Sequence, residues 1–336
     1  MILTYKIKHG RDFSVELAKA RQVAEFALKN PNQFSSSAVK HIGLKAAIAC
    51  QILRKYGRDK KIKKISNVNL IVPGQAIKPD TKNKVLWVAC LKLTLTYHFT
   101  EFVKINQIVL DNKYAYVAVT VPEKPPMQPE AWLGVDLNTT GHCLVAANPT
   151  TGKVLKLGKE AYHLHRKYKA QRKNLQKKVK NKLVKKIKNR EARKVRNLNH
   201  QISRRIVDYA VENNTGIVLE NLTGIRKTKK RSKEFKGSLN SWSFYQLAQF
   251  IEYKAKLLGV PVVKIDPHYT SQQCSRCGLL GTRKGKKFKC THCGHVDDAD
   301  VNAAFVIALR HQGILQLPAD RDVSKGSTDT PKEATA

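Results

Sequence analysis

Four of the seven cysteines form two Cys-x-x-Cys pairs late in the chain. Cys274 and Cys277 are separated from Cys290 and Cys293 by the twelve residues 278–289. Each tight turn directs two sulfurs at one point, and four thiolates suit a tetrahedral Zn²⁺ ion. A redox pair or free thiols are the alternatives, but a second pair at this spacing has no redox use. Because sulfur fills all four positions, we expect a structural zinc ion in a zinc ribbon.

Three acids lie far apart in the chain: Asp136 near the end of an apolar strand, Glu220 at the end of another, and Asp300 at the beginning of a helix. Hydrolysis of a phosphodiester by two metal ions needs carboxylates from separate segments, with the ions about 4 Å apart. Mg²⁺ prefers such hard oxygen ligands. Taken alone, each acid is more simply explained as a surface residue, because acids are common where strand ends meet solvent. The order and setting of all three together favour a magnesium site. Asp298 is a rival for Asp300 as the third acid.

Basic residues are concentrated between Arg166 and Arg196, where sixteen lysines and arginines accompany one acid, Glu191. An ordinary solvated helix usually mixes charges of both signs, so this segment predicts a track for a phosphate backbone. A second basic run, 226–236, is explained either by a mobile lid over the acids or by a plain flexible loop. The residues for which we expect nucleic-acid contacts are Arg172, Lys173, Lys177, Lys178, Lys185, Lys186, Arg190, Arg193, Arg226, Lys229, Lys230 and Arg231.

The overall charge also indicates a polyanionic partner. The chain of 336 residues has 63 lysines and arginines against 25 acids, a formal net charge of +38. Nucleic acid is favoured over a membrane surface, because residues 1–10 are polar and no apolar run approaches the roughly 20 residues of a spanning helix. We expect a soluble, cytoplasmic protein.

The first 125 residues combine helical and strand patterns. Ser14 can begin one helix, and Ser36 or Ser37 another that extends to Tyr56. β-branched and aromatic stretches follow and predict a strand-rich, barrel-like domain over residues 1–125, with a helical insert at about 13–58. Four prolines within residues 122–129 predict a domain boundary.

Beyond the boundary, the pattern predicts an α/β domain. Three short strands, a long amphipathic helix at 160–213 broken once, a strand at 217–220, a helix, another strand and a final helix follow in order. An RNase H-type sheet requires this order if three acids are to converge. We therefore predict a nuclease domain over 126–270 and 296–313, an inserted zinc ribbon at 271–295, and a disordered tail at 314–336.

Four motifs carry a resemblance to a known family. They are Gly134-Val135-Asp136, Val218-Leu219-Glu220-Asn221-Leu222, Asp300-Val301-Asn302-Ala303-Ala304, and the run from Asp266 to Gly278. The first three resemble the RuvC motifs of TnpB proteins from insertion sequences, relatives of type V CRISPR effectors, and the fourth is similar to the entry into their zinc ribbon. One departure is Asn138, where many relatives have glycine.

The resemblance implies an RNA-guided DNA endonuclease with a RuvC-like site, in which Asp136, Glu220 and Asp300 are catalytic. It implies two Mg²⁺ ions, for which Mn²⁺ can substitute, a guide RNA from the transposon end, and a double-stranded DNA target beside a short motif. The amino-terminal strands and helices would be the wedge and recognition regions. Alternatives are a compact type V CRISPR effector, an RNA-guided repressor that has lost cutting, and a strand-joining transposase.

Overall fold

A computed structural model gives the fold of the chain, and the structure describes residues 1–99, 101–223 and 244–318. They divide into two compact units, of which the first ends at Glu123 and the second begins at Lys124. The predictions on Arg226, Lys229, Lys230, Arg231 and the tail from 319 onward lie outside the described residues. Within the described ranges, no helix is both long and apolar enough to cross a membrane.

The first unit combines two antiparallel sheets with two helices. One sheet has the strand order β1-β7-β6-β2 and the other β3-β4-β5. The elements are β1 (Ile2–Lys8), α1 (Ser14–Lys29), α2 (Ala46–Arg58), β2 (Leu70–Pro73), β3 (Ile77–Asp80), β4 (Val85–Val88), β5 (Leu93–Thr96), β6 (Lys104–Leu110) and β7 (Tyr114–Thr120), with short 3-10 segments at Ser36–Ile42, Gly74–Ala76 and Ala89–Leu91.

Two details of this unit differ from the prediction. Strand β1 was not predicted, although its half-buried residues alternate with exposed ones, the period of a strand. The helix expected from Ser36 or Ser37 is only a 3-10 segment, and α2 begins later, at Ala46. Gly43 lies between them with φ +72°, a left-handed conformation that ends helical backbone.

The second unit follows the predicted order of elements. These are β8 (Ala131–Leu137), β9 (Leu144–Ala147), β10 (Val154–Leu157), α3 (Lys159–Lys177), α4 (Asn181–Glu212), β11 (Thr215–Glu220), α5 (Phe244–Leu258), β12 (Val262–Ile265), β13 (Thr282–Lys284), β14 (Lys287–Lys289), β15 (Val296–Asp298) and α6 (Ala299–His311). The long helix is broken once, as predicted, at residues 178–180. Val179 lies there with φ +52° and is 77% exposed, so the apolar stripe expected to include it stops at this turn.

A five-stranded mixed sheet forms the centre of this unit, with the strand order β10-β9-β8-β11-β12. Strands β8, β9 and β10 are antiparallel, whereas β11 runs parallel to both β8 and β12. Apolar residues of α3, α4 and α5 cover one face of the sheet, and Val301 and Ala304 of α6 pack against β9 on the other. The mixed α/β fold is therefore confirmed.

Alternation along β8 and β11 decides which side chains face α6. Leu133 and Val135 of β8, like Ile217 and Leu219 of β11, belong to the core beneath α3, α4 and α5. Successive side chains of a strand point to opposite faces. Asp136 and Glu220, the next residues, therefore lie on the face that α6 covers.

Candidate functional site

Two of the predicted acids meet at the carboxyl ends of adjacent parallel strands. Val135 of β8 and Leu219 of β11 are partners in register. Asp136 and Glu220 follow them directly, on the same face of the sheet. Neighbouring strands lie about 4.8 Å apart, so the two carboxylates are brought to one place by the register of β8 and β11.

The third acid arrives on helix α6, which packs against β8 at Gly134. A Cβ atom there would lie 2.0 Å from the carbonyl oxygen of Ala304 and 2.6 Å from the amide nitrogen of Ala308, so only glycine admits the helix backbone this closely. Asp300 precedes Ala304 by four residues, a distance of about 6 Å along a helix. Asp136 follows Gly134 by two residues, a distance of about 6.6 Å along a strand. These matching lengths bring Asp300 level with Asp136.

Burial and mutual repulsion dominate the electrostatics of the site. Asp136 is 8% exposed and Asp300 is 4% exposed. Burial, together with the charges of Glu220 and Asp300, raises the pKa of Asp136 to about 8. The side-chain amide of Asn138 opposes this shift, since its Nδ2 donates to Asp136 Oδ2 at 2.8 Å. The negative charges of Glu220 and Asp300 near the buried Asp136 favour the binding of cations.

Glu220 has its own partners. Burial raises its pKa, and the hydroxyl of Thr270, which donates to Glu220 Oε1, opposes the shift, as do the charges of Arg310 and Arg283. Thr270 is buried, so this hydrogen bond fixes one carboxylate oxygen of Glu220 from the direction of the zinc ribbon.

Two cations from the β13–β14 hairpin contact Asp300. Arg283 Nη2 lies 3.1 Å from Asp300 Oδ1, and Lys286 Nζ pairs with Oδ2. Asp298, the rival third acid, has a different role: its Oδ1 accepts from the amides of Asp300 and Val301 as the cap of α6, and its Oδ2 pairs with Lys156 at 3.3 Å. Asp300, rather than Asp298, is the acid whose charge helps to raise the pKa of Asp136.

The four cysteines form one cluster, and their sulfur atoms all lie within 4.8 Å of one another. The distance from Cys274 Sγ to Cys293 Sγ is 3.6 Å, and from Cys277 Sγ to Cys290 Sγ it is 3.5 Å. A tetrahedron with metal–sulfur bonds of about 2.3 Å has edges of about 3.8 Å. The donor set therefore fits a structural Zn²⁺ ion. The glycine after each pair has a positive φ, +77° and +73°, as the turn out of each pair requires.

The basic segment forms two helices, α3 and α4, and seven of the eight predicted contact residues in it are exposed. These are Lys173, Lys177, Lys178, Lys185, Lys186, Arg190 and Arg193. Arg172 is different, because its guanidinium pairs with the buried carboxylate of Glu191, to which His165 Nδ1 is also hydrogen-bonded at 3.0 Å. Arg172 thus ties α3 to α4, and nucleic-acid contacts of this segment remain a prediction.

Several site residues were not identified from the sequence. Asn138 was noticed only as a departure from a pattern, and Thr270 and Asn302 only as parts of motifs. Their positions two to four residues from an acid or a cysteine are a usable signal. No spacing signals Arg283 or Lys286, because the hairpin that brings them to Asp300 is a property of the folded ribbon.

Comparisons with known proteins relate the chain to two named groups. Residues 244–307 match the family model described as "Cas12f1-like, TNB domain". The chain is 32% identical to the TnpB-like protein MJ0751 of Methanocaldococcus jannaschii over 241 residues, which are 67% of this chain and 84% of that protein.

It is also 46% identical over 115 residues to the CRISPR-associated endodeoxyribonuclease Cas12f1 of Sulfoacidibacillus thermotolerans, which are 33% of this chain and 26% of that protein. The match therefore spans about a quarter of that relative's length. A solved Cas12f1-sgRNA-target DNA complex aligns with a TM-score of 0.46 and 20% identity, covering 92% of this chain and 99% of that one.

Proposed function

The chain belongs to the family of TnpB-like proteins, and from that premise we propose that it is an RNA-guided DNA endonuclease that cleaves its target at Asp136, Glu220 and Asp300. The convergence of these three acids, of which Asp136 and Asp300 are buried, carries the proposal. The sheet order, three antiparallel strands continued by two parallel ones, supports assigning the second unit to the RNase H-like fold of RuvC nucleases.

The three carboxylates supply hard oxygen ligands from three separate segments, which fits two Mg²⁺ ions. Bound there, the ions would supply Lewis acidity at the scissile phosphate. Asp136 and Asp300 would hold one ion and Glu220 the other, with Asn138 and Thr270 fixing the orientation of two of the carboxylates. The products would carry a 5′ phosphate and a 3′ hydroxyl.

Nucleic-acid binding is proposed for the exposed cations of α3 and α4, which would contact the phosphates of the guide RNA and its paired DNA strand. Base pairing with the guide would specify the target, and the protein would grip the backbone and shape of the heteroduplex. Sequencing the RNA that copurifies with the protein identifies the guide. A transposon-end sequence supports a TnpB-type nuclease, and a CRISPR repeat supports the alternative of a compact type V effector.

Cleavage assays on three variants test the carboxylate assignment. Asp136→Ala, Glu220→Ala and Asp300→Ala should each abolish cleavage of guide-matched DNA while leaving RNA-dependent binding measurable, because affinity comes mainly from backbone contacts and pairing. The matched control is Asp298→Asn, which keeps a side chain able to cap α6 and should retain cleavage. Full activity in any of the three alanine variants, or loss of cleavage in the control alone, would refute the assignment.

A further inference from the structure

The segment that leads into the first cysteine pair contacts two of the three elements that carry the acids, β11 and α6. We call residues 266–275 the entry strap, since they join the end of β12 to Cys274. On one side, the hydroxyl of the buried Thr270 donates its single proton to Glu220, and the carbonyl oxygen of Pro267, 3.1 Å from the same hydroxyl oxygen, is the alternative acceptor. The strap is therefore anchored while it orients the second acid.

On its other side, the strap is fastened to α6 by Asn302, which is completely buried. Asn302 Nδ2 donates to the carbonyl of Gln273 at 2.7 Å, and its Oδ1 accepts from the amide of Ser275 at 2.9 Å. These two bonds hold the residues on either side of Cys274. Asn302 lies two residues after Asp300, so the side chain that joins the first cysteine pair belongs to the same helical turn as the third acid.

Gln273 extends this connection to the far end of the first cysteine pair. Its side chain is buried, with Nε2 donating to the carbonyl of Gly278 at 2.8 Å and Oε1 accepting from Arg310 Nε at 2.7 Å. Arg310 in turn donates to the carbonyl of His268 at 2.6 Å. The fold of the first cysteine pair is thus tied to α6 at two separate turns of the helix.

We propose that the entry strap couples the two metal centres: Asn302 and Thr270 are positioning residues through which zinc in the cysteine cluster holds Asp300 and Glu220 in place for divalent cations. Neither residue touches the reacting atoms. Losing zinc would release the strap, and both carboxylates would lose a constraint while the five-stranded sheet stays folded. The inference rests on the proposed function only in requiring that the carboxylates bind a divalent cation.

The test is the affinity of the nucleic-acid-free protein for Mn²⁺, measured by electron paramagnetic resonance in zinc-loaded protein and in Cys277→Ser, with zinc content determined for each. Zinc loss should weaken Mn²⁺ binding about tenfold, the lower end of the effect of removing a partner that orients a metal ligand. Thr270→Val, which keeps the shape and removes the hydroxyl, should weaken binding by a similar factor in zinc-loaded protein. Thr270→Ser should restore it.

A double-mutant cycle separates coupling from general destabilisation. If Asn302 transmits the effect, Asn302→Ala should weaken Mn²⁺ binding in zinc-loaded protein but change it less than about twofold in the Cys277→Ser background, because the connection is already broken there. The matched control is Asn148→Ala. Asn148 is also buried, and its Oδ1 accepts from the amide of Thr150 at 3.0 Å within the turn between β9 and β10.

The outcomes are distinguishable. A wild-type protein that binds no Mn²⁺ would refute the proposed metal centre. Mn²⁺ binding that is indifferent to zinc and to Thr270→Val, or an Asn302 effect that is the same in both backgrounds, would overturn the coupling and leave the proposed function standing. Should Asn302→Ala not fold, as circular dichroism would reveal, the comparison of Thr270→Val with Thr270→Ser decides between coupling and its absence.

Discussion

Replacing Asp136 by asparagine should stabilise the metal-free protein at high pH while abolishing cleavage. The pKa of this carboxyl is 3.8 in its ordinary state and about 8 in the folded protein, because it is buried beside Glu220 and Asp300. The folded chain therefore holds the proton more tightly than the unfolded chain. The contribution of this bound proton to the stability of the folded state is fully present below about pH 4 and is lost as the pH rises to about 8.

The size of the effect follows from the same shift. One pKa unit corresponds to about 1.4 kcal/mol, so a shift of about four units sets an upper bound of about 6 kcal/mol at pH 8. Relaxation of the site and entry of water reduce this value, and we expect Asp136→Asn to raise the free energy of unfolding by about 2 to 4 kcal/mol at pH 8 and by about 1 kcal/mol or less at pH 5.

Thermal unfolding of zinc-loaded, magnesium-free protein measures this difference. For a unit of this size the gain at pH 8 corresponds to about 5 to 10 °C in Tm. The control Asp208→Asn alters a partly exposed acid that pairs with Arg204 at 2.9 Å, and should change stability by less than about 0.5 kcal/mol at either pH. Equal effects of Asp136→Asn at pH 5 and pH 8, or a loss at pH 8, would refute the proposed burial of Asp136 beside two repelling acids.

Three further changes test other parts of the structure. Gly134→Ala should lower the free energy of unfolding by about 3 kcal/mol or more, because its Cβ would meet backbone atoms of α6, and chemical denaturation measures it. Cys277→Ser should reduce zinc from about one ion per chain, measured by elemental analysis, because three thiolates leave the tetrahedron incomplete. Changing four exposed lysines to glutamine should lower the slope of log affinity for guide RNA and target against log salt by about two to four units. These lysines are Lys177, Lys178, Lys185 and Lys186.

Each of these predictions has a control and a contradicting result. The control for Gly134→Ala is Gly152→Ala, at a turn glycine with φ +69° and no atom within 4 Å of the added Cβ. This control should lower the free energy of unfolding by only about 1 kcal/mol. If Gly134→Ala lowered it no more than that, the close packing of α6 would be contradicted. Full zinc content in Cys277→Ser would contradict the four-sulfur site. Arginine at the four lysine positions should keep the salt slope, and an unchanged slope with glutamine would assign this surface to solvent.

The fold of the second unit was predictable because its signals are local. Apolar runs bounded by turn residues gave β8, β9 and β10, and the long stretch without glycine or proline gave α3 and α4. Strand β1 was missed although its half-buried Leu3, Tyr5 and Ile7 alternate with exposed residues, which is a local strand signal. Its place at the edge of a sheet depends on pairing with β7, about 110 residues later, which no local pattern reveals.

The candidate acids and cysteines could be selected from the sequence for a different reason. Metal chemistry restricts the residue types, and the order of strands and helices restricts where they can meet. The residues that contact these acids could not be predicted from the sequence in the same way. Arg283 and Lys286 reach Asp300 only because a hairpin folds back between the cysteine pairs, and Arg172 turned out to pair with Glu191 because two helices run side by side.

The zinc ribbon runs directly into helix α6, and this connection gives a physical reason for its place in the sequence. Strand β15 ends at Asp298, and helix α6 begins at the next residue. Asp298 therefore ends the ribbon sheet and also caps the helix, with its Oδ1 3.0 Å from the amide nitrogen of Asp300. Because β15 pairs with β14 from Val296 to Asp298, the first turn of α6 starts from a point that the ribbon sheet defines. The position of Asp300 beside Asp136 thus depends on two surfaces, the close contact at Gly134 and the folded ribbon, and disturbing either should misplace the same carboxylate.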